Sequence, residues 1–202
     1  MGRPREHGPE TRDQLLQTAA RLLNDEGAAA LSVRRLSAEV GVSSRAVYSL
    51  FGDMRGLLGE LFRRESETMV RLHEAVPRQA NPIAEILALA LAYRQGALEH
   101  PELYGLMFER AVPAFCPDDD DIAYAMRSLA RVEDAVTRAL RERRRRRDPH
   151  QVTLQLWAVV HGLASLELRG ALGDPATAEA SWRDTVAAVT TGLFAERKAR
   201  IA

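Results

Sequence analysis

Two short stretches with apolar residues at helical spacing flank Gly41-Val42-Ser43, and no other feature restricts the fold of this chain so strongly. The first opens at Ser32 and repeats Val33, Leu36, Ala38 and Val40; the second reads SRAVYSLF. Gly41 takes positive φ without a Cβ penalty and ends the first stretch, while Ser43 is placed to cap the second. With so short a connection the two helices must cross steeply, which is the sequence form of a helix-turn-helix. Gly52-Asp53 then ends the second helix and opens a longer one.

The helical period continues through the rest of the chain. Residues 1–10 carry Gly2, Pro4, Gly8 and Pro9 without an apolar repeat and read as a basic arm. A helix from Thr11 turns Leu15, Leu16, Ala19, Leu22 and Leu23 to one face and stops at Gly27. Beyond Asp53 a helix reaches about Leu72, and the proline-bearing segment 76–82 is a linker. Further helices are expected over 83–98, from Pro101 through Phe108, and over 122–143, 150–169 and 177–198. No segment alternates apolar and polar residues between turns, and aromatics are 5% of a chain rich in Ala, Leu, Arg and Glu, so the fold class is all-α. With 202 residues, 46% of them hydrophobic, a small domain joined to a larger one is accommodated. The expected division is 1–10 as arm, 11–57 as the three-helix helix-turn-helix domain, and 58–202 as a helical domain whose 58–75 segment connects the two.

The string TRDQLLQTAARLLNDEGAAALSVRRLSAEVGVSSRAVYSLFGDMRGLLGEL resembles the DNA-binding domain of the TetR family, the tetracycline-repressor-type regulators. The matching features are Thr11-Arg12, Ala19-Ala20, Gly27, Ser32-Val33-Arg34, Leu36, Ala38, Gly41-Val42-Ser43, Val47-Tyr48, Phe51 and Leu57-Leu58. Leu50 departs from the histidine usual in the family, and Met54 from a lysine that meets a phosphate. The resemblance implies that the second helix of the pair enters a major groove, read from its N-terminal end. Ser43, Ser44 and Arg45 occupy that end, Tyr48 and Ser49 offer hydroxyls one turn on, and Ser32 and Arg34 present a helix N-terminus and a cation to the backbone. Arg55 is the substitute phosphate contact beside Met54, and Arg3 and Arg5 on the arm are candidates for a minor groove. The balance of 28 basic and 28 acidic residues does not oppose this, because Arg34, Arg35 and Arg45 face only Glu39 within 31–51.

The resemblance further implies that residues beyond Asn81 bind a small-molecule effector and form a homodimer. LWAVVHGLASLEL, with Trp157 and His161-Gly162, resembles a subgroup marked by Trp…His-Gly. Tyr93, Tyr104, Met107, Phe108, Phe115, Met126, Trp157 and His161 are the candidate pocket residues, since aromatic and methionine side chains line apolar cavities, with core packing as the alternative. Ala164 and Leu168 on one helix and Trp182, Val186, Val189 and Leu193 on the last form apolar stripes for a dimer seam, or else face the chain's own core.

Other classes find less support. There is no His-Glu-x-x-His, phosphate-binding glycine loop or Gly-x-Ser-x-Gly, and the five histidines are scattered, so no enzyme, cofactor or metal is expected. Cys116 is the one cysteine, and its acidic neighbours would raise a thiol pKa, against a redox sensor. The acids at 118–121 precede a helix and the arginines at 141–147 end one, both as the helix dipole favours. With no leader and no spanning apolar run, a cytoplasmic protein without membrane contact is expected. The expected function is transcriptional regulation: a repressor held on a palindromic double-stranded DNA operator and released by its effector.

Overall fold

Capping and apolar spacing together set the helix ends in this computed structural model, which describes residues 8–108 and 115–195, without the side chains of Glu102 and Met107. Arg3 and Arg5 therefore lie outside the described residues, as does the Met107 side chain. The described helices are α1 (Pro9–Glu26), α2 (Val33–Val40), α3 (Ser44–Phe51), α4 (Met54–Ala75), α5 (Pro82–Glu99), α6 (Pro101–Phe108), α7 (Asp119–Met126), α8 (Ala130–Glu142), α9 (Pro149–Leu168) and α10 (Pro175–Phe194). No strand occurs among the described residues, and none of their helices is long and apolar enough to cross a membrane.

The helix starts show why these segments fold as they do. Asp148 accepts from the His150 N–H at 3.0 Å, and Asp174 from those of Ala176 and Thr177 at 2.9 and 3.1 Å; each cap is followed by a proline that lacks the N–H needing a partner. One expected helix, 122–143, is divided: α7 ends at Met126 and a 3₁₀ turn, Arg127–Leu129, precedes α8. No glycine or proline marks this break. Ser128 and Leu129 are buried there, and the break falls where the chain passes from one packing unit to the other.

One unit holds the described residues up to Ser66 and those from His100 to Ala125; the other holds Glu67–Glu99 and the described residues from Met126 on. The first unit encloses Leu15, Leu22, Leu36, Val47, Leu57 and Leu61, all at most 2% exposed. Each such leucine contributes roughly 1.5–3 kcal/mol by leaving water. Tyr104 and Phe115 are buried in this unit too, with Phe115 against Phe62 and Tyr104 against Phe108. Asp121, in the acidic run, pairs with Arg63 at 2.6 Å.

In the second unit α5 packs against α8, α9 and α10. Two acids tie these helices together, Glu167 partly buried and Glu85 fully so. Glu167 accepts from Arg94 at 2.7 Å and from the Trp182 indole N–H at 2.7 Å, joining α5, α9 and α10. Glu85 is fully buried; burial pushes its carboxyl up, but the Gln79 N–H and the guanidinium groups of Arg138 and Arg131 outweigh that and hold it below the ordinary range. Arg138 approaches it to 2.6 Å, so the linker and α8 close over the start of α5.

Candidate functional site

The short connection at Gly41 is built as its sequence suggests. Gly41 sits at φ 75°, ψ 29°, and the N–H of Val42 reaches back to the Ser37 carbonyl at 2.9 Å, closing α2. Ser43 caps α3 by accepting from the Ala46 N–H at 3.3 Å, and Ser32 caps α2 by accepting from that of Arg35 at 3.2 Å. Ala46, Val47 and Phe51 turn inward, leaving Ser44, Arg45, Tyr48 and Ser49 on the opposite face of α3, all exposed. Tyr48 is 52% exposed, far more than a tyrosine used for packing needs.

The basic residues divide sharply. Arg35 pairs with Glu26 at 2.7 Å and Glu39 at 3.1 Å, and Arg21 also pairs with Glu39. Those hydrogen bonds to Glu39 and Glu26 raise the Arg35 pKa further. The Arg34 and Arg45 side chains are exposed and have no ion-pair or hydrogen-bond partner among the described residues. Arg55, in the first turn of α4, is exposed and reaches the Cys116 carbonyl at 3.4 Å, while Asp53 caps that turn through the Gly56 N–H at 2.8 Å.

Arg12 has a role that the sequence pattern left unassigned. Its Nε donates to Glu60 at 2.6 Å, Nη2 makes a second bond to the same carboxylate, and Nη1 donates to the Leu50 carbonyl at 3.0 Å. The guanidinium also lies 4.9 Å from the centre of the Phe51 ring. One side chain of α1 thus fixes the C-terminal end of α3 against α4. Ser44 is held at the other end, where its Oγ lies 3.2 Å from that of Ser37, which itself donates to the Arg34 carbonyl.

The second unit contains an apolar cavity of about 30 Å³ whose wall comes from α4, α5, the 3₁₀ turn and α8–α10. Of the expected pocket residues, Tyr93 and Trp157 line it, and His161 stands behind them, 3.4 Å from the Tyr93 hydroxyl and 5.8 Å in ring centres from Trp157. Tyr104, Phe108 and Phe115 are packed in the first unit and do not line it, and Met126 is not on its wall. The wall also includes His73, at the end of α4 and missed by sequence reasoning. Its place four residues after buried Met69 was the available signal.

The apolar stripe on α10 also needs correction. Trp182, Val186 and Ala164 are at most 1% exposed within a single chain, so they have no surface left for a second copy. Val189 and Leu193 pack on the core of α5, α8 and α9, with Leu168 also partly buried.

Comparison with known proteins agrees with this geometry. Residues 15–61 match the family model of bacterial regulatory proteins, tetR family, and residues 86–189 match that of the tetracyclin repressor-like C-terminal domain. No curated protein matches the chain. Among solved structures, a protein of unknown function from Rhodococcus sp. RHA1 is 29% identical, with 95% of this chain and 98% of that one covered and a TM-score of 0.75. The TetR family transcriptional regulator PfmR from Thermus thermophilus is 22% identical, with 93% and 98% covered and a TM-score of 0.69. FadR from Bacillus subtilis, solved with stearoyl-CoA, shares the fold at 11% identity, with 89% and 98% covered and a TM-score of 0.72. The chain belongs to the TetR family of DNA-binding transcriptional regulators.

Proposed function

We propose that this regulator is a repressor that holds a palindromic operator as a homodimer and is released by a small apolar effector bound in the second unit. The observation that carries the reading is the contrast among the arginines: Arg34 and Arg45 stand exposed without acidic partners among the described residues, whereas Arg35 and Arg21 are paired. An unpaired arginine at the start of a recognition helix suits guanine O6 and N7. Ser32, Arg34, Ser43, Tyr48, Ser49 and Arg55 then take sugar-phosphate contacts, with Arg3 and Arg5 in a minor groove. By function, 11–57 is the reading head, 58–75 the connection and the remainder the effector and dimerisation region.

For the seam, the outward sides of α9 and α10 replace the enclosed stripe. Leu166 is 47% exposed, and a Cβ added at Gly162 or Gly192 would meet nothing within 4 Å, which leaves room for a second backbone. FadR, solved in complex with stearoyl-CoA, supports the reading that this fold accommodates a small molecule. The test is gel-shift titration with the DNA upstream of the chain's own coding region. Arg45→Ala should weaken specific binding by about 1–3 kcal/mol and leave non-specific binding nearly intact. An unchanged ratio of the two affinities rejects the assignment of Arg45.

A further inference from the structure

The turn from α8 to α9 gathers charge that the balanced composition conceals. Residues 141–148 hold six arginines against two acids, in a chain of 28 basic and 28 acidic residues. Asp148, one of the two acids, is engaged as the cap of α9 through the His150 N–H at 3.0 Å. Two of the arginines anchor the turn to the end of α10: Arg145 Nε donates to the Phe194 carbonyl at 3.3 Å, and Arg147 Nη1 to that of Leu193 at 2.8 Å. The side chains of Arg141, Arg143, Arg144 and Arg146 are exposed and have no ion-pair or hydrogen-bond partner among the described residues.

Helix capping does not account for these four. The dipole of α8 favours a cation within its last turn, where Arg141 stands, and fades beyond it. The last carbonyls of α8 are already taken by backbone: those of Ala139, Leu140 and Arg141 accept from the N–H groups of Arg143, Arg145 and Arg144 at 3.2, 2.8 and 3.0 Å. Arg144 sits at φ 53°, the one positive φ outside glycine among the described residues. Glycine would hold this backbone at lower cost, yet the turn carries a guanidinium there.

The patch fits a polyanion that stays in water. Guanidinium forks match phosphate oxygens two at a time, and neutralising a phosphate releases its condensed counterions. Membrane and protein partners need apolar anchors as well as charge. The exposed large apolar side chains among the described residues, Tyr48, Leu98, Ile122 and Leu166, lie on other segments. Duplex DNA is the polyanion that a DNA-binding regulator meets.

We propose that the α8–α9 turn is a second, sequence-independent DNA surface, with Arg141, Arg143, Arg144 and Arg146 on the phosphates of duplex DNA. This goes beyond the reading head. The test titrates the full chain with a duplex of unrelated sequence over a salt series, read by fluorescence anisotropy. Each phosphate contact adds about 0.9 to the slope of log affinity against log salt. The fourfold variant (Arg141→Gln, Arg143→Gln, Arg144→Gln, Arg146→Gln) should therefore flatten the slope by about 3–4 and weaken binding at ~50 mM salt at least about tenfold. Its ratio of affinities for upstream and unrelated DNA should stay that of wild type. Arg144→Gly relieves the left-handed backbone and so guards against misfolding: its urea midpoint should match or exceed wild type while the slope flattens by about 0.9. Wild-type slopes in both variants overturn the proposal. So does loss of binding to phosphatidylserine vesicles without a change of slope, which would assign the turn to a membrane. Arg34→Ala combined with Arg45→Ala tests the head separately, and should lose the preference for upstream DNA while keeping the part of the slope that the glutamines remove. A retained preference overturns the assignment of the head and leaves that of the turn standing.

Discussion

The outward face of α3 and the wall of the cavity hold polar atoms under opposite conditions. On α3, Arg45, Tyr48 and Ser49 stand in water, so a lost partner is replaced by solvent at little cost. Beside the cavity, His73 is enclosed and its Nε2 has no hydrogen-bond partner among the described residues, where a missing partner costs roughly 1–3 kcal/mol. Exposure lets a contact on α3 be exchanged for water, whereas enclosure fixes what His73 can meet.

The comparison breaks first at Trp182. Trp182→Ala should cost about 3–5 kcal/mol of stability, because a fully buried indole is removed and Glu167 loses its donor. Urea unfolding with sedimentation checks it: a stable, folded, monomeric variant would move Trp182 from the core to the seam. Arg12→Ala should have a smaller effect, about 1–2 kcal/mol of stability after allowance for its partial exposure, with weaker operator binding although Arg12 is bonded to α3 and α4 and is not on the outward face of α3. Arg12→Lys should not rescue it, since an ammonium cannot hold the Glu60 carboxylate with two parallel bonds. Full rescue by lysine would reduce the clamp to its charge.

The smallest effect lies in pH. The folded pKa of His73 is below its unfolded value of about 6.5, so just below that value the unfolded chain binds more protons. The stability contributed by neutral His73 is thus complete above about pH 6.5 and falls as the pH drops through the window down to the folded value. Glu85, whose carboxyl is also held down, loses its contribution only in more acid solution. Urea midpoints compared at about pH 7.5 and about pH 5.5 should show a drop in wild type that is reduced in His73→Phe. Equal drops would mean that the ring is protonated in the fold.

The head was legible in the sequence because its determinants are local. Gly41, Ser43 and the spacing of Val47 and Phe51 lie within a few residues of one another, and each acts through backbone chemistry. The cavity draws its wall from helices far apart in the chain, so periodicity identified Tyr93 and Trp157 as inward residues without identifying their neighbours. His73 is one of five histidines scattered along the sequence, set apart by its place four residues after Met69. The α10 stripe shows the same limit: Trp182 and Val186 were correctly found to share a buried side, but spacing does not say whether that side meets the chain itself or a second copy. The division of α7 from α8 carries no local signal, because tertiary packing around Ser128 imposes it.

The contact between Ser44 and Ser37 bears on which operators this head prefers. The Ser37 proton goes to the Arg34 carbonyl, so the hydrogen bond between the two serines must use the proton of Ser44. Ser44 therefore faces solvent with lone pairs only. In a major groove such an oxygen is matched by the exocyclic amino groups of adenine and cytosine and opposed by guanine O6 and thymine O4. Operators selected from a randomised library should be enriched for an amino-bearing base at the position under Ser44, and Ser44→Ala should flatten that preference while leaving neighbouring positions unchanged. Enrichment of guanine or thymine there would mean that the Ser44 proton turns away from Ser37 when DNA is bound.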